Sequence, residues 1–375
     1  MAKKNKQWLL FFLSLFFSLF MAEFAVRIVG EKPPPPIKIF DEQTGFRLRP
    51  NMEGIWTVEN EAYFKFNSFG FRDHEWEVEK SRFRVAILGD SFTEALQVPL
   101  EDTFHKIAEA ELGNVEIMSF GISGQGTVEQ LLTYRHRVRN FDPDLIVLAF
   151  FPGNDPIENM RRTKRSVRFP VKIEQTEAGD LSLRKITNPV FLNPVWKLID
   201  IANNHSLLVQ KCFELRRSLF AKRYRKGALT EAGLWPGAFG LQVQGNEQVD
   251  AAWKLTERII LLLRDEVETD LNKRNALLVM CLTQAAQVHD PKRRQFQQDY
   301  PHLDIDYAEK RLSLFCEENQ IPFLALSEEL LKYNRNTGRT IHGFAKQEHG
   351  HYNYDGHKIV AQLLARKIKE LRSNL

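Results

Sequence analysis

Five short apolar runs punctuate the chain: Phe83–Leu88, Val115–Met118, Leu145–Phe151, Ala276–Leu282 and Phe323–Leu326. Helical stretches alternate with them, for example from Thr103 to Leu112 and from Val128 to Arg139. A strand with one wet face alternates polar and apolar residues, whereas these runs are apolar almost throughout. They therefore predict strands covered on both faces, joined through helical crossovers into a parallel sheet. With 375 residues and 43% hydrophobic content, the chain is long enough to bury such a core.

Two parts of the chain break this rhythm. Residues Ile157 to Arg274 hold three spaced prolines (Pro170, Pro189, Pro194), a basic stretch and a long helical pattern from Val249 to Leu271. Their length between the third and fourth runs predicts a mainly helical insertion at about 157–274. The basic stretch (Arg216, Arg217, Lys222, Arg223, Arg225, Lys226) reads as a solvated face, with contact to anionic lipid or polysaccharide as the alternative. The long helical pattern reads as packing.

The N-terminus is the second departure. Lys3, Lys4 and Lys6 precede an uninterrupted run from Trp8 to Ala22 built only of Trp, Leu, Phe, Met, Ala and Ser. At ~1.5 Å per residue that run is ~22 Å of helix, and continuing to Val29 makes it ~33 Å, enough for a hydrocarbon core of ~30 Å. Glu23 and Arg27 stand four apart in the order that lets them pair on one face. A cleavable signal peptide is the competing reading, but Phe20 would fill its −3 position before Ala22. The segment is read as a signal anchor. Lysines before the span predict a cytoplasmic N-terminus and a periplasmic or extracellular body.

The expected boundaries are residues 1–31 for the anchor, 32–80 for a spacer and short β segment, and 81–375 for the main domain. The spacer opens on Pro33–Pro36, a stiff polyproline run. Ile55 to Phe66 alternates and carries aromatics, predicting a short hairpin.

Charge and cysteines exclude other classes. A net charge of +4 with basic residues interspersed among acidic ones gives no nucleic-acid-binding face. Cys212, Cys281 and Cys316 are odd in number and widely spaced, which fits neither a disulfide framework nor a zinc site.

Ligands of open α/β sheets bind beyond the carboxyl ends of the strands, and four small polar clusters fall there. Gly89-Asp90-Ser91-Phe92-Thr93-Glu94 follows the first run. A serine at a strand-to-helix turn presents its hydroxyl above the sheet and its N–H to a developing oxyanion, although Ser91 or Thr93 could equally cap the helix. Phe120-Gly121-Ile122-Ser123-Gly124-Gln125-Gly126 follows the second run, where glycine lets the backbone approach a ligand. Pro152-Gly153-Asn154-Asp155 follows the third, with Asn154 as a further oxyanion donor or simply part of a turn. The last cluster, Glu348-His349-Gly350-His351-Tyr352-Asn353-Tyr354-Asp355-Gly356-His357, precedes the final helix. A serine nucleophile needs a base, usually histidine, and that histidine needs a carboxylate. Glu348 lies three residues before His351; His349 and His357 are competing bases. The histidines also raise a metal site, but no carboxylate-rich partners stand elsewhere to complete one.

In order and spacing, these blocks resemble those of SGNH (GDSL-type) hydrolases. Asn67-Ser-Phe-Gly-Phe-Arg72 and the Gly-Asp-Ser-Phe-Thr-Glu string look particularly like bacterial members with an N-terminal membrane span. The resemblance covers about Asn67 to the C-terminus, less the insertion. It implies a flavodoxin-like three-layer α/β/α sandwich around a five-stranded parallel sheet, Ser91 as nucleophile and His351 as general base. It also implies an oxyanion hole made by the Ser91 and Gly124 N–H groups and the Asn154 side chain, with no cofactor. The usual aspartate three before the histidine is Glu348 here, with Asp355 as the fallback. The implied function is a serine esterase acting on acylated carbohydrate or other small esters outside the cytoplasm. An O-acyltransferase with the same triad is the alternative, and a non-catalytic polysaccharide-binding or assembly protein the second.

Overall fold

The computed structural model describes residues 2–29, 36–163, 171–175, 181–185, 198–199, 201–202, 205–213, 215–216, 247–345 and 347–373. Pro33 to Pro35, the three spaced prolines and most of the basic stretch (217–226) lie outside the described residues. By contacts the chain divides into two compact units, one of residues 1–37 and 188–233, the other of 38–187 and 234–375. This division differs from the expected boundaries. The β segment before residue 81 belongs to the same unit as the sheet, and so does the long helix of the insertion.

In the first unit, helix α1 (Ala2–Val29) contains 24 residues, Lys6–Val29, of mean hydropathy 2.2 with none buried, long and apolar enough to cross a membrane. Near its end, the Arg27 guanidinium donates to the Glu23 carboxylate at 2.8 Å, as the spacing predicts. Glu23 also accepts from the Ser206 hydroxyl (2.7 Å) and from the N–H groups of Leu207 (3.0 Å) and Leu208 (2.9 Å), capping the helical stretch that starts there.

The second unit begins with two hairpins, β1 (Lys38–Asp41) with β2 (Gly45–Leu48), and β3 (Glu53–Trp56) with β4 (Ala62–Lys65). Then come β5 (Phe83–Gly89), the one-turn α2 (Ser91–Glu94), α3 (Phe104–Leu112), β6 (Val115–Gly121), α4 (Thr127–His136), β7 (Leu145–Phe150) and α5 (Asp155–Thr163). A small hairpin, β8 (Val171–Gln175) with β9 (Leu181–Lys185), precedes α6 (Glu247–Leu271). The remainder is β10 (Leu277–Cys281), two short helices, α7 (Tyr307–Glu318), β11 (Phe323–Ala325), α8 (Ser327–Thr337), β12 (His342–Phe344), β13 (Gln347–Tyr352) and α9 (Tyr354–Arg372).

The five apolar runs form one wholly parallel sheet in the order β11–β10–β7–β5–β6. Counted along the chain, that is 2-1-3-4-5, the order of the flavodoxin-like architecture that the resemblance implies. Strands β7 and β10 are buried along their whole length, because helices cover both faces. On one side α9 turns Val360, Ala361, Leu364, Ala365 and Ile368 inward at three- and four-residue spacing and packs with α3. On the other, α6 buries Val249, Ala252, Trp253, Ile260, Leu263 and Val267 against α4 and α5. The long helix of the insertion is therefore a layer of the sandwich.

Two glycines set how closely α2 sits on the sheet. A Cβ at Gly121 would lie 2.5 Å from the Glu94 nitrogen and 2.6 Å from the Thr93 Cβ; one at Gly89 would lie 2.1 Å from the Thr93 hydroxyl. Gly121→Ala must push α2 off its seat. It is expected to cost about 1–3 kcal/mol of stability by the usual penalty of overpacking, read as a lower midpoint in thermal or urea unfolding.

Candidate active site

The order of strands reverses between β5 and β7, and the crevice beyond the carboxyl ends of the sheet opens there. Ser91 follows β5, Asn154 follows β7, and Gly124 follows β6, so neighbouring strands deliver all three to one end. Ser91 is the first residue of α2, where a helical N–H has no intrahelical acceptor. Capping falls to Asp90 instead, whose Oδ1 accepts from the Phe92 N–H at 2.9 Å. The Ser91 hydroxyl is thus left for another partner.

That partner is His351. Its Nε2 stands 2.8 Å from Ser91 Oγ, and its Nδ1 stands 2.9 Å from Oε1 of Glu59. Glu59 Oε2 also accepts the His351 backbone N–H at 3.1 Å, so one carboxylate holds both ring and main chain. A carboxylate can only accept at Nδ1, which puts the ring proton there and leaves Nε2 to take the serine proton.

Glu59 lies in the loop of the β3–β4 hairpin, 292 residues from His351 in sequence. Its backbone is left-handed (φ 70°), an uncommon conformation for glutamate that is held by its contacts. Beside it, the Asn60 amide donates to the Gln97 carbonyl at 2.9 Å and so ties the loop to the sheet's rim. Gly350 makes room: with φ 122°, it sits where a Cβ would come 2.7 Å from Glu59 Oε2.

The carboxylate at His351 is therefore not the expected one. The Glu348 backbone is part of β13, and its side chain lies outside the described residues. Asp355, the fallback, heads α9 and pairs instead with Arg339 at 3.4 Å. The side chain of His349 also lies outside the described residues. His357 is buried and its Nδ1 accepts the Phe104 N–H at 3.1 Å, a structural post away from Ser91.

At the expected oxyanion positions, the Asn154 amide donates to Asp90 Oδ2 at 2.7 Å, and Asp90 is fully buried. An amide nitrogen carries two hydrogens, and among the described residues only this one has an acceptor. Burial raises the pKa of Asp90, against the hydrogen bonds from Phe92 and Asn154; burial and the nearby Asp90 charge raise that of Asp155 well above its usual value. Gly124 has φ 77°, and among the described residues its N–H has no acceptor.

The string Asn67–Arg72, read only as a likeness, has a physical task. Asn67 Oδ1 accepts from the N–H groups of Phe69 (3.2 Å) and Phe71 (3.0 Å), folding the turn that delivers Arg72. The buried Arg72 guanidinium then donates to the carbonyls of Glu94 (3.1 Å), Ala95 and Val98, capping the far end of α2.

A further buried histidine supports the site from behind. His342 Nδ1 meets the Gly350 carbonyl at 2.9 Å, and its Nε2 meets Thr283 Oγ1 at 3.1 Å. Burial lowers the pKa of His342 to about 4 and that of His357 to about 3. Both are therefore neutral when folded, while the unfolded chain protonates them near 6.5. Between those values the unfolded state binds more protons, so this contribution is complete above about pH 6.5 and is lost as the pH falls toward 4 for His342 and 3 for His357. The unfolding midpoint should drop over that window, and His342→Gln should flatten the drop in a pH series of thermal melts.

No protein-family profile matches the chain, and no curated protein sequence matches it. Solved structures do. An acetyl xylan esterase (AlAXEase) is 15% identical with TM-score 0.41, covering 76% of this chain and 99% of that one. A lipase/acylhydrolase from Enterococcus faecalis is 14% identical with TM-score 0.38, over 78% and 97%. A catalytic mutant of an acetylxylan esterase from Geobacillus stearothermophilus is 12% identical with TM-score 0.39, over 78% and 96%. At these identities and scores the likeness carries no chemistry to this chain, which rests on the distances around His351.

Proposed function

We propose that the chain is a serine esterase of the SGNH type, with Ser91 as nucleophile, His351 as general base and Glu59 as the carboxylate that orients it. One observation carries this reading: the unbroken line of contacts from Ser91 Oγ to His351 Nε2 (2.8 Å) and from His351 Nδ1 to Glu59 Oε1 (2.9 Å). Those are the lengths at which a base takes a hydroxyl proton.

In the proposed reaction Ser91 Oγ attacks the ester carbonyl carbon as its proton passes to His351 Nε2. The carbonyl electron pair moves onto oxygen, facing the Ser91 and Gly124 N–H groups and the second N–H of the Asn154 amide. Collapse expels the alcohol, which takes the proton from Nε2 and leaves an acyl-serine. Water, or an acceptor hydroxyl, then attacks with the same base and releases the acyl group. Throughout, the Glu59 charge stabilises the imidazolium.

The lysine-flanked helix α1 supports an anchor with a cytoplasmic N-terminus and a catalytic unit outside the cytoplasm. Acetyl groups on exported or envelope carbohydrate are the proposed substrates.

The test is hydrolysis of an aryl acetate together with fluorophosphonate labelling, mapped by mass spectrometry. Wild type should label at Ser91, and Ser91→Ala should lose both labelling and turnover. Asn154→Ala should slow turnover about 100- to 1,000-fold, the usual loss for one oxyanion donor. Glu59→Gln should slow it by roughly 10²- to 10⁴-fold through the wrong ring tautomer, while Glu348→Gln leaves it near wild type. Labelling at another residue, or a Glu348 effect larger than that of Glu59, would overturn the assignment.

A further inference from the structure

The loop after β6 accounts for its amide groups one by one. The Ser123 N–H donates to Glu94 Oε2, and the Gln125 N–H donates to the Ile122 carbonyl at 3.2 Å. Between them the Gly124 N–H is left over. Residues 122–125 thus form a tight turn whose third residue, Gly124, has φ 77°. That is the type II arrangement; type I needs a negative φ there. The two types differ by a rotation of the central peptide, the group that joins the Ser123 carbonyl to the Gly124 N–H. Glycine tolerates both, so Gly124 alone does not select one.

The selecting contact comes from the N-terminal hairpin. The Lys38 ammonium donates to the Ser123 carbonyl oxygen. A peptide unit is planar and trans, so its C=O and N–H point in opposite directions. A cation fixed on that oxygen therefore fixes the direction of the Gly124 N–H. Lys38 is itself held, with its nitrogen 4.8 Å above the Phe46 ring and the Glu94 and Asp90 charges nearby. The same hairpin holds the loop again through the Gln125 amide, which donates to the Phe46 carbonyl at 3.2 Å.

We propose that Lys38 is a positioning residue of the oxyanion hole: from outside the sheet, it locks the Ser123–Gly124 peptide in the orientation that turns the Gly124 N–H toward the substrate oxygen. The proposal rests on the esterase reading, in which Gly124 is an oxyanion donor. Charge adds to geometry, since an ammonium on the carbonyl oxygen polarises the peptide and strengthens its N–H as a donor. Glu94 holds the neighbouring Ser123 N–H.

The experiment uses the full chain in detergent. Lys38→Met keeps the aliphatic stem and removes the ammonium. Its kcat on an aryl acetate should fall, by up to the about 100- to 1,000-fold that loss of one oxyanion donor entails, with KM nearly unchanged because the contact matters only in the transition state. Affinity for a trifluoromethyl ketone, which forms a tetrahedral adduct on serine, should fall in proportion. Lys38→Arg, which can still donate to the carbonyl, should recover most of both. If Lys38→Met does not fold, Lys38→Cys serves: slow as made, it should regain rate when bromoethylamine rebuilds a lysine-like side chain, with treated wild type as control. Wild-type kcat in Lys38→Met, a drop in kcat without a matching loss of ketone affinity, or a Cys variant that aminoethylation does not restore would each overturn the role. Fluorophosphonate separates the two readings. An unlabelled wild type sinks the esterase itself, whereas equal labelling rates in wild type and Lys38→Met sink only the role of Lys38.

Discussion

An imidazole held between a hydroxyl and a carboxylate needs a separate partner at each ring nitrogen, and much of this unit serves that constraint at His351. Ser91 faces Nε2 because β5 ends in a glycine and α2 begins at once. Glu59 faces Nδ1 because a hairpin loop from the start of the unit reaches across to β13. The two partners come from segments that share no strand, and they meet only once β13 lies between them. Gly350 is the clearance that makes this possible, since a side chain there would occupy the space of the Glu59 carboxylate.

The same economy governs the polar groups around α2. A single turn of helix has too few internal hydrogen bonds to hold itself, so its ends are held from outside. Asp90 caps the start and also binds the Asn154 amide. Arg72 caps the end, and Glu94 reaches out to the Ser123 N–H. Each charge is buried and each has a structural acceptor or donor, which is the condition under which buried charge is tolerated. The position of Ser91 thus depends on an ionic scaffold as much as on apolar packing.

Four of the five strands were legible because a strand buried on both faces must be apolar almost throughout; the edge strand β11 is apolar too, although it is only half-buried. Ser91, Gly124 and Asn154 were legible as small polar residues at strand ends, where an open sheet binds its ligands. Glu59 was not. It lies in an ordinary polar hairpin loop, and neither its left-handed backbone nor its approach to Gly350 leaves a mark in the residue pattern. Lys38 was equally silent, a lone lysine after a proline run.

What the sequence by itself determined is what depends on local pattern. It set the parallel sheet, the membrane-length helix, and the small residues at the sheet's carboxyl end. Tertiary structure alone decided the partners those residues meet. Which carboxylate reaches Nδ1 depends on a fold that brings residues 59 and 351 within one hydrogen bond, and which way the Gly124 N–H points depends on a cation 86 residues earlier. Period and propensity act over a turn or a strand. A hydrogen bond between distant segments is fixed only when the packing of everything between them is fixed.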